Sequence, residues 1–340
     1  MGIFDFFFRR QKTEQTLSHV QPAAKNFIPS DNDIEVLMRI KKYNPECPPQ
    51  GIINCFCNNI PLLAQKFIDY GFLELPTTEE RLNFLTIPQL KTILKNHSFP
   101  VSGKKADLIE RIMLNIPMND LNLDTNSNIY HISLKGNQLI EQYKDKKENA
   151  ERVFNNDCID LILQGNFIKA YYNICTNYAS SPLPHGLGID WSKEAERGIP
   201  EDNRDILHEY LKFQDIETHS LLGENVNVFN ACVILCELKG ESSKKAIGFY
   251  KNYTDAIINT EDSQALSLYA HYLLSIINSL YELNSYREDD IKKFDVLCCS
   301  DSCEICKKAS KNAHSCKTAK IGKTLPPFHK GCRCTTAAHF

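Results

Sequence analysis

The chain has 340 residues, of which 42% are hydrophobic and 24% charged, and its formal net charge is −3. These are ordinary globular values, and the length allows two or three domains. Whole-chain charge therefore argues neither for a polyanion-binding protein nor for a membrane-adsorbing one, and no transmembrane stretch is evident. Charge is placed unevenly, however. Residues 86–115 carry a net +3 and residues 298–340 a net +6, which leaves −12 on the remainder. Clustered basic charge is what attracts phosphate. Half of the fourteen cysteines fall in the last 43 residues. The opening Met1 to Arg10 has a short apolar run, split by Asp5 and placed before its positive charge, which is not the order of a secretory signal. A cytoplasmic, bacterial location is expected, and disulfides seldom persist there. The cysteine cluster needs another explanation.

In chain order, residues 1–25 are a short apolar tip and a polar run, expected to be disordered. Residues 26–78 read as a helical lead, with apolar faces at Ile34, Leu37, Met38 and Ile40, then at Ile60, Leu62, Leu63, Phe67 and Ile68, and Gly71 just past the second helix. A loop at Cys47-Pro-Pro separates them. Cys55 and Cys57 have the wrong spacing for a metal knuckle and read as buried thiols. Residues 118–146 are a linker, rich in Asn and Asp at first. Within it, Ile129 to Leu134 alternates like a strand, Gly136 reads as a turn, and Leu139 and Ile140 begin a helix. Residues 147–292 are helical by pattern, with helices predicted over 150–163, 166–178, 202–221, 226–238, 243–258 and 261–285. Ser180 to Gly188 is a Pro- and Gly-rich loop. His185 within it, with Asp190, His208 and Glu209, is the best catalytic candidate of the helical region, although a lone loop His is far more often structural.

Residues 79–117 hold the first constellation. Thr86 and Gln89 have capping-box spacing, and Pro88 sits in the first turn, where a missing amide proton costs nothing. Leu90, Ile93 and Leu94 share one face, and Lys91 and Lys95 lie beside it. Phe99-Pro-Val-Ser-Gly103 ends that helix, and Ser102 is expected to cap a second one with Leu108, Ile109 and Ile112 on its apolar face. Gly103 permits close backbone approach. Helix-start amides carry partial positive charge, and Lys104 and Lys105 flank them, which suits a phosphate oxyanion. Leu82-x-x-Leu85-Thr-Ile-Pro-Gln-Leu90, followed by Phe99-Pro-Val-Ser-Gly-Lys-Lys-Ala-Asp-Leu-Ile-Glu-Arg111, resembles the SAP family. That family is a helix–extended loop–helix module that binds DNA, often AT-rich, and sometimes RNA. The resemblance implies contacts at Ser102, Gly103, Lys104, Lys105 and Arg111, with Lys91 and Lys95 as further basic candidates.

The second constellation, in 293–340, is Cys303-x2-Cys306, then 22 residues, then His329-x2-Cys332-x-Cys334. Two thiolates on one tight turn take two corners of a tetrahedron, and a distant His and Cys supply the others. Zn2+ is the expected ion, held by Cys303, Cys306, His329 and one of Cys332 and Cys334. Cys298, Cys299, Cys316 and His314 are spares, with His314 and Cys316 as the stand-ins. Six lysines between the two halves offset thiolate charge. A Cys332–His329 nucleophile pair is a rival reading. A metal nuclease is another, with His339 or Glu304 as its base. Surplus cysteines make metal the simpler account, and catalysis is not expected. The same segment, Asp301 to Cys334, is similar to the C-terminal knuckle of the phage Mu head-morphogenesis (minor capsid) family, which implies a phage or prophage origin and a virion-associated alternative. The expectation is a mainly α, helical multi-domain protein. It has a SAP-like helix–loop–helix, a helical domain able to serve as scaffold or protein-partner surface, and a small zinc-knuckle-like C-terminal segment.

Overall fold

The computed structural model describes residues 27–40, 56–57, 59–75, 77–121, 130–183, 185–186 and 188–339. The expected disordered tail, the Cys47-Pro-Pro loop, Cys55 and most of the Asn- and Asp-rich stretch after Leu121 lie outside them. The protein is mainly α-helical and divides into two compact units, Met1–Ile140 and Glu141–Phe340.

In the first unit, α1 (Asp31–Ile40) buries Ile34, Val36, Leu37 and Ile40. Its entry is fixed by Asp33, whose carboxylate accepts from the Ser30 amide at 2.8 Å and from the Ser30 hydroxyl at 2.7 Å. α2 (Ile60–Asp69) is capped by Asn59, has Pro61 in its first turn, and buries Ile60, Leu63, Ala64 and Phe67. Phe67 meets Phe72 edge-on at 6.1 Å. β1 (Leu73–Glu74) pairs antiparallel with β2 (His131–Ile132), Leu73 opposite Ile132 and Glu74 opposite His131. The expected strand is thus present but short. Gly136 is not a turn: α6 runs from Leu134 to Leu163 and contains it. A Cβ there would lie 2.2 Å from the Phe72 carbonyl oxygen. The glycine is needed because the chain just before β1 passes against the start of the helix, where the Ser133 amide also donates to the Phe72 carbonyl at 3.1 Å.

α3 (Thr78–Phe84), α4 (Ile87–Asn96) and α5 (Lys105–Asn115) follow, with α4 and α5 on either side of the loop at 97–104. Their joint core is Leu82, Leu90, Leu94, Leu108, Ile109, Ile112, Ile116 and Leu121, with Leu85, Ile93 and Phe99 packed against it. Each of these aliphatic side chains contributes about 1.5–3 kcal/mol by leaving water. That is how two short helices hold a fixed loop between them.

The second unit contains α7 (Phe167–Ser180), α8 (Trp191–Arg197), α9 (Glu201–Leu211), α10 (Ile216–Leu222), α11 (Val226–Lys239), α12 (Lys245–Thr254) and α13 (Thr260–Glu288). α11 is buried on nearly every side, its Phe229 and Ile234 sharing one core with Tyr250, Tyr269 and Leu273. The single helix expected over 202–221 is two. Asp215 caps the second by accepting from Thr218 at 2.7 Å. Buried Asn230 donates to the carbonyls of Tyr210, Leu211 and Phe213 where the first one ends, and accepts from the Tyr269 hydroxyl at 2.9 Å. α12 stops at Thr254, short of 258, because Asp255 takes the left-handed conformation. α8 was not expected; Asp190 caps it. The stretch Ile216–Lys239 is long and apolar enough by length and composition to cross a membrane, but over half of it is buried within the protein, as in the core helix of a globular domain.

The tail is more ordered than a knuckle alone. β3 (Lys293–Leu297) is the centre of a three-stranded antiparallel sheet, with β4 (His314–Ser315) on one side and β5 (Thr335–His339) on the other. Phe294, Val296, Cys316 and Leu325 form its core with Leu283 of α13. α14 (Glu304–Ala309) follows Cys303.

Candidate functional site

The helix–loop–helix presents its loop on rigid supports. At the start of α4, Gln89 Oε1 accepts from the Thr86 amide and hydroxyl, both at 2.8 Å, as the capping-box spacing predicts. At the start of α5 the cap is Lys104 rather than Ser102. Asp107 closes the turn by accepting from the Lys104 amide at 2.8 Å. Gly103 has φ +127°, and a Cβ on it would crowd Asp107 at 3.0–3.1 Å, so the close approach it permits is to this carboxylate. One helix-start amide is thereby taken by a negative group. The amides of Lys105 and Ala106 have no acceptor within the helix by its geometry.

Ser102, Gly103 and Lys104 are exposed on the loop, and Lys91 and Lys95 are exposed on α4. The other two basic residues are partly engaged. Lys105 Nζ donates to the Asn83 carbonyl at 2.6 Å. Arg111 Nη1 donates to the carbonyls of Pro100 and Ser102 at 2.7 and 2.9 Å, and so clamps the loop to α5. The sequence shows a basic residue at 111, and only the fold shows that its guanidinium is turned onto backbone.

In the tail, two groups of ligand atoms lie within 4.8 Å of one another: Cys303, Cys306 and His329; and Cys306, Cys332 and Cys334. Cys306 is common to both. Its Sγ lies 3.6 Å from Cys303 Sγ, 3.7 Å from Cys332 Sγ and 3.3 Å from His329 Nε2, and Cys303 Sγ lies 3.2 Å from the same nitrogen. A tetrahedral ion with metal–sulfur bonds near 2.3 Å sets its sulfurs about 3.8 Å apart. The spacing fits a metal, and these residues can hold one. His329 Nδ1 faces the Lys330 carbonyl at 2.8 Å, which leaves Nε2 free as the ligand. That carbonyl is the main reason the imidazole titrates above its ordinary value. Cys303 is brought down to about 7, first by the Cys306 backbone amide, whereas burial pushes Cys306 up and takes Cys334 up to about 11.

The five candidate residues thus fall in two groups that share Cys306, and the expected stand-ins are in neither. Cys316 is buried in the sheet core, and His314 Nε2 is engaged with the Ala309 carbonyl at 2.8 Å. Cys298 contacts Ser310 Oγ at 3.3 Å. The ligand loop is anchored by Lys330, which reaches Asp215 at 3.1 Å and Glu217 at 2.6 Å, and by Arg333, which reaches Asp301 at 2.6 Å. These anchors leave no mark in the local sequence, because their acidic partners are up to 115 residues away. They also take part of the +6 charge out of play, although Lys308, Lys311, Lys317, Lys320 and Lys323 stay exposed. The catalytic candidates have structural contacts instead. His185 stacks on Tyr178 at 4.2 Å and lies 3.1 Å from Ser181 Oγ, and His208 meets Phe167 edge-on at 4.7 Å. His339 pairs with Asp295 at 2.9 Å, and Glu304 is almost fully exposed.

The site is thus a basic, glycine-opened loop between two short packed helices. The SAP domain model matches residues 81–115, which is this element and about a tenth of the chain. No curated protein and no solved structure matches the chain. The resemblance of Asp301 to Cys334 to the phage head-morphogenesis family finds no support in these comparisons.

Proposed function

We propose that this protein binds duplex DNA through the SAP helix–loop–helix, and that its C-terminal cluster holds a structural Zn2+. The observation that carries the reading is the SAP match laid on an exposed loop, Ser102-Gly103-Lys104, with Lys91 and Lys95 exposed on the preceding helix. Phosphate is the group these residues meet, and phosphate contacts position a protein without reading base sequence. Arg111 holds the loop in shape. In this reading the helical second unit is the scaffold or partner surface for what a weak module brings to nucleic acid.

The donor set, three or four thiols and one imidazole nitrogen, is that of zinc rather than of calcium or magnesium, which take oxygen. Cys303, Cys306, His329 and Cys332 would hold the ion, with Cys334 beside Cys306. When bound it cross-links the turn before α14 to the loop before β5.

The test is binding of the purified chain to a labelled duplex over a range of salt. Three exposed lysines in contact with phosphate predict a slope of about −2.7 in log K against log salt, or roughly a 40-fold loss from about 50 to about 200 mM. Binding that ignores salt, or no binding at the lower concentration, contradicts the proposal.

A further inference from the structure

Residues 305–340 hold eight lysines and arginines and no Asp or Glu. Three of the eight are taken. Lys307 lies 3.9 Å from Glu304, Lys330 is held by Asp215 and Glu217, and Arg333 by Asp301. The other five, Lys308, Lys311, Lys317, Lys320 and Lys323, are exposed, and among the described residues none of them is in an ion pair. Nearby carboxylates earlier in the chain are matched as well, Asp290 by Lys292 and Asp295 by His339. Positive charge gathered in this way without neutralisation repels itself and draws a polyanion.

The fold carries these lysines on one small body. Ala309, Cys316, Ala319 and Ile321 turn inward and pack with Phe294 and Leu325. Lys308, Lys317 and Lys320, each beside one of them in the chain, are turned out. The Lys311 amide donates to the Lys308 carbonyl at 3.4 Å and the Lys323 amide to the Lys320 carbonyl at 3.1 Å, so each pair shares a turn. The His314 imidazole meets the Ala309 carbonyl at 2.8 Å, which lays the first turn against β4, and Lys317 follows two residues after that strand. The backbone under the lysines is therefore fixed before a ligand arrives, which spares the ordering cost that a disordered basic tail meets on binding.

The chemistry around the lysines narrows the polyanion. Among the described residues from 306 to 339 no large apolar side chain is exposed, and the one Phe, Tyr or Trp there, Phe328, packs on the sheet core. A bilayer rewards an apolar side chain that can enter it, and an unpaired base rewards an aromatic face on which to stack. A duplex asks only for cations along its phosphates.

We propose that the lysine surface at 308–323 is a second duplex-binding surface, which takes the phosphate backbone on the second unit as the SAP loop takes it on the first. It rests on the DNA-binding reading only for the name of its ligand. Each lysine in contact adds to the salt dependence that the three SAP lysines give.

The experiment is fluorescence anisotropy of the zinc-loaded full chain with a labelled duplex from about 50 to about 200 mM salt. Lys317→Gln, Lys320→Gln and Lys323→Gln together should make the slope of log K against log salt shallower by about 2.7. Lys308→Gln with Lys311→Gln should take off about 1.8, and serves if the first variant does not fold. Lys169→Gln, Lys212→Gln and Lys244→Gln remove the same charge from exposed lysines elsewhere on the second unit and should leave the slope as in wild type. A folded tail variant with the wild-type slope overturns the proposal. So does an equal loss of slope in the control, which would make net charge the cause. Binding to vesicles of phosphatidylserine and phosphatidylcholine that is lost in the tail variant while the duplex slope is kept would give the surface to a membrane, and also overturns it. The Lys104→Glu, Lys105→Glu variant reports on the SAP loop alone. Its failure to weaken binding removes that reading and leaves this one, whereas an unchanged tail variant does the reverse.

Discussion

Arg111 separates two ways of making a nucleic-acid contact. The SAP resemblance places it among the phosphate contacts, whereas its Nη1 donates to the Pro100 and Ser102 carbonyls at 2.7 and 2.9 Å. Arg111→Met keeps the stem against α5 and removes both bonds. The carbonyls sit on exposed residues that water can reach, so each bond is worth about 0.5–1 kcal/mol net and the pair about 1–2 kcal/mol. If that energy holds the loop in its binding shape, the competent fraction falls by a factor of roughly 5–30 and apparent affinity falls with it. The number of phosphates contacted does not change. Fluorescence anisotropy with a labelled duplex at several salt concentrations reads both quantities. Arg111→Met should lower affinity at every salt and leave the slope as in wild type. Lys104→Met should reduce the slope by about 0.9. A slope reduced by about 0.9 in Arg111→Met would refute the clamp and make the guanidinium a direct phosphate contact.

Metal analysis of the purified chain should find about one zinc per chain. Cys306→Ser should lose most of it, because Cys306 belongs to both ligand groups, while Cys299→Ser, outside both, should keep it; equal zinc in the two variants would contradict the centre. Glu237 titrates at about 7 against an ordinary 4.5. Its contribution is therefore full below pH 4.5, falls as pH rises between the two values, and is lost above 7, a total of roughly 3 kcal/mol. Denaturation at pH 5 and pH 8 should show that fall in wild type and a smaller one in Glu237→Gln, and identical differences would contradict it. Gly136→Ala should destabilise the first unit by about 1–3 kcal/mol despite the better helix propensity of Ala, because of the Phe72 carbonyl; an unchanged or raised denaturation midpoint would count against the packing described.

The helix–loop–helix was legible because its determinants are local: Thr86 and Gln89, Pro88, the apolar face at Leu90 and Leu94, and the break at Pro100. The candidate metal-binding cluster was legible for a related reason, since Cys-x2-Cys and His-x2-Cys are turn-sized spacings that need no knowledge of the fold. What escaped depends on distant partners. β3 and β5 pair Lys293 with His339; β3 alternates, with Phe294 and Val296 inward, but over only five residues, and Thr-Thr-Ala-Ala-His of β5 has no apolar alternation to mark it as the partner. The break after Leu211 is stabilised by Asn230, which looks like one polar residue in an apolar helix. Gly136 reads as a turn until the Phe72 carbonyl is placed beside it. Ser102 was the obvious cap by residue type, and Lys104 holds that position because Asp107 can reach its amide.

Whether this chain meets DNA at Ser102–Lys104 and the start of α5 is decided by comparing wild type with the Lys104→Glu, Lys105→Glu double variant in the same anisotropy assay at about 50 mM salt. Two charge reversals among so few contacts should weaken binding by at least about a hundredfold while circular dichroism stays unchanged. Equal affinity in the two proteins would remove the loop from the interface and the proposed function with it.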